Sequence, residues 1–80
     1  MYGIISKNKQ FISDSIIDSF GESRMGLLAF KNKKHAIQLS DEMNNYIQNK
    51  KSKPYSVIKI NNDDISDYGV IINGVWKSKL

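Results

Sequence analysis

One segment of this chain carries the 3.6-residue apolar period of an amphipathic helix more clearly than any other. From Asn32 onward, Ala36, Leu39, Met43, Tyr46 and Ile47 fall on one face, with Lys33, Lys34, Asp41, Asn45 and Lys50 opposite. Asn32 is placed to cap the start, and Lys50-Lys51-Ser52-Lys53-Pro54 stops the pattern, so a helix is expected over about 32–50. Its basic last turn would suit the negative end of the helix dipole. The remaining apolar residues come in strand-length runs. With 80 residues in a single domain (1–80), one helix has to cover whatever sheet those runs build. A helix covers one face only, so the other is left to solvent, to a partner, or to a second copy.

The strand signals differ in clarity. Residues 2–6 are β-rich, and Lys7-Asn8-Lys9 is a polar break of hairpin length. Residues 10–19 read two ways. As a strand they alternate Phe11 and Ile17 with Ile12 and Ile16. As a helix they align Ile12, Ile16 and Phe20, with Ser15 and Asp18 as a weak capping box. The β-branched, Ser- and Asp-heavy composition disfavours a helix interior, so a strand ending near Ile17 is the reading taken, the helix remaining open. Residues 21–24 read as a loop and residues 25–30 as a strand. Pro54 introduces a strand over 55–60. Asn61-Asn62-Asp63-Asp64 is a turn opening a helical stub capped by Asp63 or Asp64. Residues 68–72, then Asn73-Gly74, then Val75-Trp76-Lys77 carry the strongest hairpin signal, because Asn-Gly supplies both positive-φ residues of a type I′ turn.

The expected fold is therefore α+β: a small, mainly antiparallel sheet of four or five strands, with one amphipathic helix on one face. The β–α–β stretch from Met25 to Ile60 is expected to make a right-handed crossover that lays the helix on the sheet.

Catalytic groups are scarce. There is no cysteine, hence no thiolate nucleophile and no disulfide framework. His35, the sole imidazole, sits beside Lys33 and Lys34 with no acid placed to orient it before Asp41. With one His and no Cys, a zinc site within one chain is not expected. Alternate positions from Asn61 read Asn61, Asp63, Ile65 and Asp67 with no Glu following, so the acidic stretch is no calcium loop. Gly3, Gly21, Gly26, Gly69 and Gly74 stand singly, which rules out phosphate-cradling loops. No enzyme, cofactor or metal is expected. The longest apolar runs, such as Leu27-Leu28-Ala29-Phe30, fall far short of the roughly 20 residues of a membrane span. No charged leader precedes an apolar block, so a cytoplasmic protein is expected.

The net charge of +4 is not evenly spread. Lys7, Lys9 and Arg24 balance Asp14, Asp18 and Glu22, while Lys59, Lys77 and Lys79 balance Asp63, Asp64 and Asp67. The excess lies at the helix and its flanks, where Lys31, Lys33, Lys34, Lys50, Lys51 and Lys53 face only Asp41 and Glu42. A helix of the expected length would hold the two clusters about 25 Å apart, able to grip phosphates or dock an acidic protein surface. Lys, Ile and Asn are also the residues of AT-rich codons, so the basic balance reports base composition as well as function. Tyr68 and Trp76 are the candidate aromatic anchors, since Tyr and Trp are over-represented at binding hot spots.

Two resemblances can be read. Arg24-Met25-Gly26-Leu27-Leu28-Ala29-Phe30 followed by Lys31-Asn32-Lys33-Lys34-His35-Ala36 resembles the third strand and second helix of an RNA-recognition motif. Leu27 and Leu28 stand where that family stacks bases on aromatics, and only Phe30 matches, so the likeness is one of shared β–α grammar. More of the chain resembles small accessory proteins of T-even-type virulent bacteriophages. Tyr2-Gly3-Ile4-Ile5, Phe11-Ile12-Ser13-Asp14-Ser15, Leu28-Ala29-Phe30 leading into Lys31-Asn32-Lys33-Lys34-His35-Ala36, and Tyr55-Ser56-Val57-Ile58-Lys59-Ile60 carry it. The resemblance transfers no functional residue. It implies a short non-enzymatic protein of the host cytoplasm that modulates or inhibits a host or defence factor by stoichiometric binding. The expected partner is a host protein or protein–RNA complex. The alternative is an RNA- or DNA-binding module using the lysine clusters, and a homodimer through the uncovered sheet face is a further expectation.

Overall fold

The computed structural model describes residues 1–47, 53–65 and 67–80. Along the described chain run β1 (Tyr2–Ile5), β2 (Ser13–Ile17), β3 (Ser23–Ala29), α1 (Lys33–Asn45), β4 (Ser56–Lys59), a single 3-10 turn (Asn62–Asp64), β5 (Val70–Ile72) and β6 (Val75–Lys77). The molecule is α+β. Asn73 and Gly74 take φ of 52° and 78°, and so join β5 to β6 by the turn their pairing requires.

The ambiguous segment 10–19 forms a strand, and Asp18 explains why. Its Oδ1 accepts the backbone N–H groups of Phe20 and Glu22, both at 2.9 Å, and its Oδ2 accepts Arg24 Nε at 3.1 Å. That carboxylate closes a tight turn, where the helical reading placed it in a capping box. Strand β3 accordingly starts at Ser23, inside the expected loop.

The strands pair mainly antiparallel, as expected, but they divide into two sheets. The strands form a four-stranded sheet in the order β2-β3-β5-β6 and a separate antiparallel pair, β1-β4. Within the larger sheet β3 and β5 are parallel, Leu27 facing Val70 and Ala29 facing Ile72, and the other pairs are antiparallel. The expected β3–α1–β4 crossover does not close on β3. Both edges of β3 are taken, by β2 and by β5, so β4 pairs with β1, Tyr2 opposite Lys59 and Ile5 opposite Ser56. Backbone bonds join the two sheets: Tyr2 and Phe30 exchange a pair at 2.8 Å, and Ile12 N–H donates to Ile4 O at 2.8 Å. Strand β1 therefore sits in the fork where the chain leaving β3 diverges from the start of β2.

Helix α1 begins as expected, with Asn32 Oδ1 accepting Lys34 N–H at 2.9 Å. It ends at Asn45, with Tyr46 as C-cap, earlier than its expected limit near residue 50. The last turn tightens, since Tyr46 and Ile47 N–H donate three residues back, to Met43 and Asn44. The adjacent Asn44 and Asn45 are weak helix formers, and the Asn44 side chain is engaged elsewhere: it donates to Tyr55 O at 3.0 Å and accepts Tyr55 N–H at 3.1 Å. No basic residue falls in the last turn, contrary to expectation. Tyr46, expected on the buried face, is 89% exposed because the helix stops before carrying it inward. Ala36 is buried as expected, Ser40 is buried beside it, and Leu39 and Met43 are half-buried. The 3-10 turn is capped by Asn61, not by Asp63 or Asp64. Asp64 acts from inside the turn, its Oδ2 accepting Asn61 N–H at 2.8 Å.

The core gathers Ala29, Val70 and Ile72 from the larger sheet with Ile60 and Ile65, and the half-buried Met1, Phe11 and Leu27 pack against it. Ile4 and Ala36 are fully buried, β1 and β4 being the strands that α1 contacts. Each fully buried Ile or Val contributes about 1.5–3 kcal/mol relative to exposure.

Candidate functional site

Strand β3 outruns β5. Its pairing with β5 begins only at Leu27, so from Ser23 to Gly26 its one ladder partner is β2. The outer part of the β2–β3 hairpin is thus a two-stranded ribbon, and its tip carries apolar residues in water. Phe20 is 88% exposed and Ile17 75%. Ile16 and Ile17 are adjacent, so the ribbon presents an apolar side chain on each face.

Trp76 fills the step that the short β5 leaves. Its Nε1 donates to Met25 O at 2.9 Å and to Tyr68 O at 2.8 Å. Met25 lies two residue pairs before the first β3–β5 pair, where a longer β5 would have met its carbonyl. The Arg24 guanidinium lies 5.0 Å from the Trp76 ring centroid, a cation–π contact. Gly69, at φ +77°, packs against the ring so closely that an added Cβ would stand 2.6 Å from it. Arg24 is itself held by Asp18 at 3.1 Å and by Glu22 at 3.8 Å. The Asp18 carboxyl sits below its ordinary value. The Glu22 N–H bond is the main cause, partial desolvation opposes it, and the Arg24 and Phe20 bonds and the Arg24 charge reinforce it.

Around this anchor lies an open groove of about 360 Å³, lined by Ile16, Ile17, Phe20, Arg24, Val75 and Trp76 together with Asp18, Ser19 and Gly74. A smaller hollow of about 260 Å³ is lined by Ser13, Met25, Gly26, Leu27 and Tyr68. Trp76 and Tyr68, both singled out from the sequence, are thus brought together through the Trp76–Tyr68 carbonyl bond. Tyr68 is exposed and Trp76 half-buried.

The lysines are placed elsewhere. Lys31, Lys33 and Lys34 surround the start of α1, with Lys33 Nζ 5.9 Å from the Tyr2 ring centroid. They follow the C-terminal end of β3, whereas the apolar tip precedes its N-terminal end. Seven residues at about 3.3 Å each put roughly 20 Å between the two regions. Lys53 is exposed, well beyond the end of α1, and Lys50 and Lys51 lie outside the described residues. Phe20, Ile17 and Arg24 escaped the sequence reading as site residues. The available signal was the Ile16-Ile17 pair beside Asp18-Ser19-Phe20-Gly21, apolar residues of both strand parities next to turn chemistry.

No helix among the described residues is long and apolar enough to cross a membrane. Compared with known proteins, the chain matches no protein-family model, no curated protein sequence and no solved structure.

Proposed function

We propose that this is a small non-enzymatic protein that acts by stoichiometric binding of a protein partner, through the apolar tip of the β2–β3 hairpin and the groove beside Trp76. The observation that carries the reading is the exposure of Phe20 and Ile17, at 88% and 75%, next to a groove anchored by a hydrogen-bonded Trp76. Contiguous exposed apolar residues around a concave surface mark protein contact, and aromatic anchors beside charged residues are the usual energetic centre. The likeness to accessory proteins of T-even-type phages directs the proposal to a host or defence factor that this protein modulates or inhibits in the cytoplasm.

The test is affinity capture from nuclease-treated host lysate with the wild type and with Phe20→Ser and Ile17→Ser variants. The expected result is a partner retained in near-stoichiometric amount by the wild type and lost with either variant. A partner held equally by all three proteins would overturn the assignment.

The RNA- or DNA-binding alternative rests on Lys31, Lys33 and Lys34, with Lys33 over Tyr2. It requires affinity for mixed nucleic acid that falls steeply between about 50 and 200 mM salt. Its weakness is the lack of an open stacking surface on the tryptophan, since Arg24 lies over the ring and Gly69 packs against it.

A further inference from the structure

We infer that β2 is the seam of a symmetric dimer, two copies pairing antiparallel along their outer β2 edges with Ser15 facing Ser15, so that the four-stranded sheet continues from one copy into the next. The argument starts from backbone direction. In an antiparallel ladder, alternate residues turn their N–H and C=O toward the neighbouring strand. Asp18 N–H donates to Glu22 O, and Leu28 N–H donates to Ile12 O, so the even-numbered residues of β2 face β3. The backbone groups of Ser13, Ser15 and Ile17 therefore face outward, along an edge that no described strand covers. Asp14 Oδ1 accepts the Ser15 N–H at 2.8 Å and would release it on pairing.

The other outer strands are guarded in ways that β2 is not. Strand β4 ends on Lys59 and follows Lys53-Pro54, and β6 has three residues and ends on Lys77. Lysine, proline and shortness are the usual protections of a sheet edge. Strand β2 contains no lysine or proline, and its five pairs with β3 run without a bulge. It also has more to gain. Two-stranded ribbons are marginal in water, and a third strand widens the part of the hairpin that β5 fails to reach.

The chain's own β2 fits this edge in one register. With Ser15 on the two-fold axis all five residues pair, Ser13 opposite Ile17 and Asp14 opposite Ile16, and outward-facing groups meet outward-facing groups. A shift of one residue turns those groups away from each other. A shift of two either sets Asp14 against Asp14 or leaves Ser13 and Asp14 beyond the ladder. Like charges directly opposite are destabilising.

The test uses the protein alone, so its outcome is independent of partner capture. The natural chain has no cysteine, so Ser15→Cys introduces a single thiol. Hydrogen-bonded antiparallel pairs hold their Cα atoms about 5.5 Å apart, within disulfide reach. Mild oxidation is expected to cross-link Ser15→Cys into a dimer and to leave Asp14→Cys, which faces Ile16 of the second copy, largely uncross-linked. In sedimentation equilibrium, Ser15→Pro should raise the dimer dissociation constant at least about tenfold with the fold intact, because the Ser15 N–H makes no bond to β3. Ile17→Lys should do the same without altering the backbone. A wild type that stays monomeric at about 100 µM, or a dimer that survives both Ser15→Pro and Ile17→Lys, would overturn the inference.

Discussion

Asn44 and Asp18 each satisfy two backbone groups with one side chain. Asn44 meets both the N–H and the C=O of Tyr55 and so ties the end of α1 to the chain entering β4. Asn44→Ala strands two part-buried backbone groups and is expected to cost about 1–3 kcal/mol in urea unfolding, with Asn44→Asp intermediate because it retains an acceptor. Nothing local announces this role, since the partner lies 11 residues away and is met only after the chain has turned back. The Asn32 cap and the Asn73-Gly74 turn, by contrast, are written in adjacent residues and were legible. Asp18 lay between those cases, as its spacing from Ser15 suited a helix cap as well as the turn it makes. Because its folded carboxyl lies below the ordinary 3.8, its stabilising contribution is present above that pH and is lost as pH falls through the lowered value. Asp18→Asn keeps the Oδ1 acceptor but loses the charge. The stability gap between wild type and variant should be constant above about pH 5 and close in acid, as followed by thermal unfolding across pH.

At the scale of elements, the sequence located the helix and the strands and paired β5 with β6 through Asn73-Gly74, but it did not give β4 its partner. The segments 2–6, 25–30, 55–60 and 75–77 all appear as strands close to where they were read. Which edge each strand finds depends on contacts distant in sequence, and the occupation of both edges of β3 sent β4 to β1. The shortness of β5 leaves the outer part of β3 with β2 as its one ladder partner and makes Trp76 a substitute for a second. Trp76→Phe keeps the ring but removes the donor to Met25 O and Tyr68 O. It should lower global stability by about 1–2 kcal/mol, and amide exchange should quicken in the β2–β3 hairpin more than in β1 or β4.

Taken as a whole molecule, the protein places the lysines at the start of α1 and the apolar tip of the β2–β3 hairpin at opposite ends of β3. The excess of lysine was legible by dividing the chain, whereas the apolar tip emerged only from the way β3 overshoots β5. Reversing Lys31, Lys33 and Lys34 to Glu should therefore leave capture of a protein partner unchanged while abolishing any binding of mixed nucleic acid. Trp76 offers a way to watch this surface. It is the chain's only tryptophan, and Arg24 holds a positive charge 5.0 Å from its ring centroid. Its emission therefore reports from one known place, the floor of the groove, without any label. A partner seated there should shift the emission maximum and slow iodide quenching in step with the fraction bound, whereas a ligand confined to the lysines at the far end of β3 should leave the spectrum unmoved.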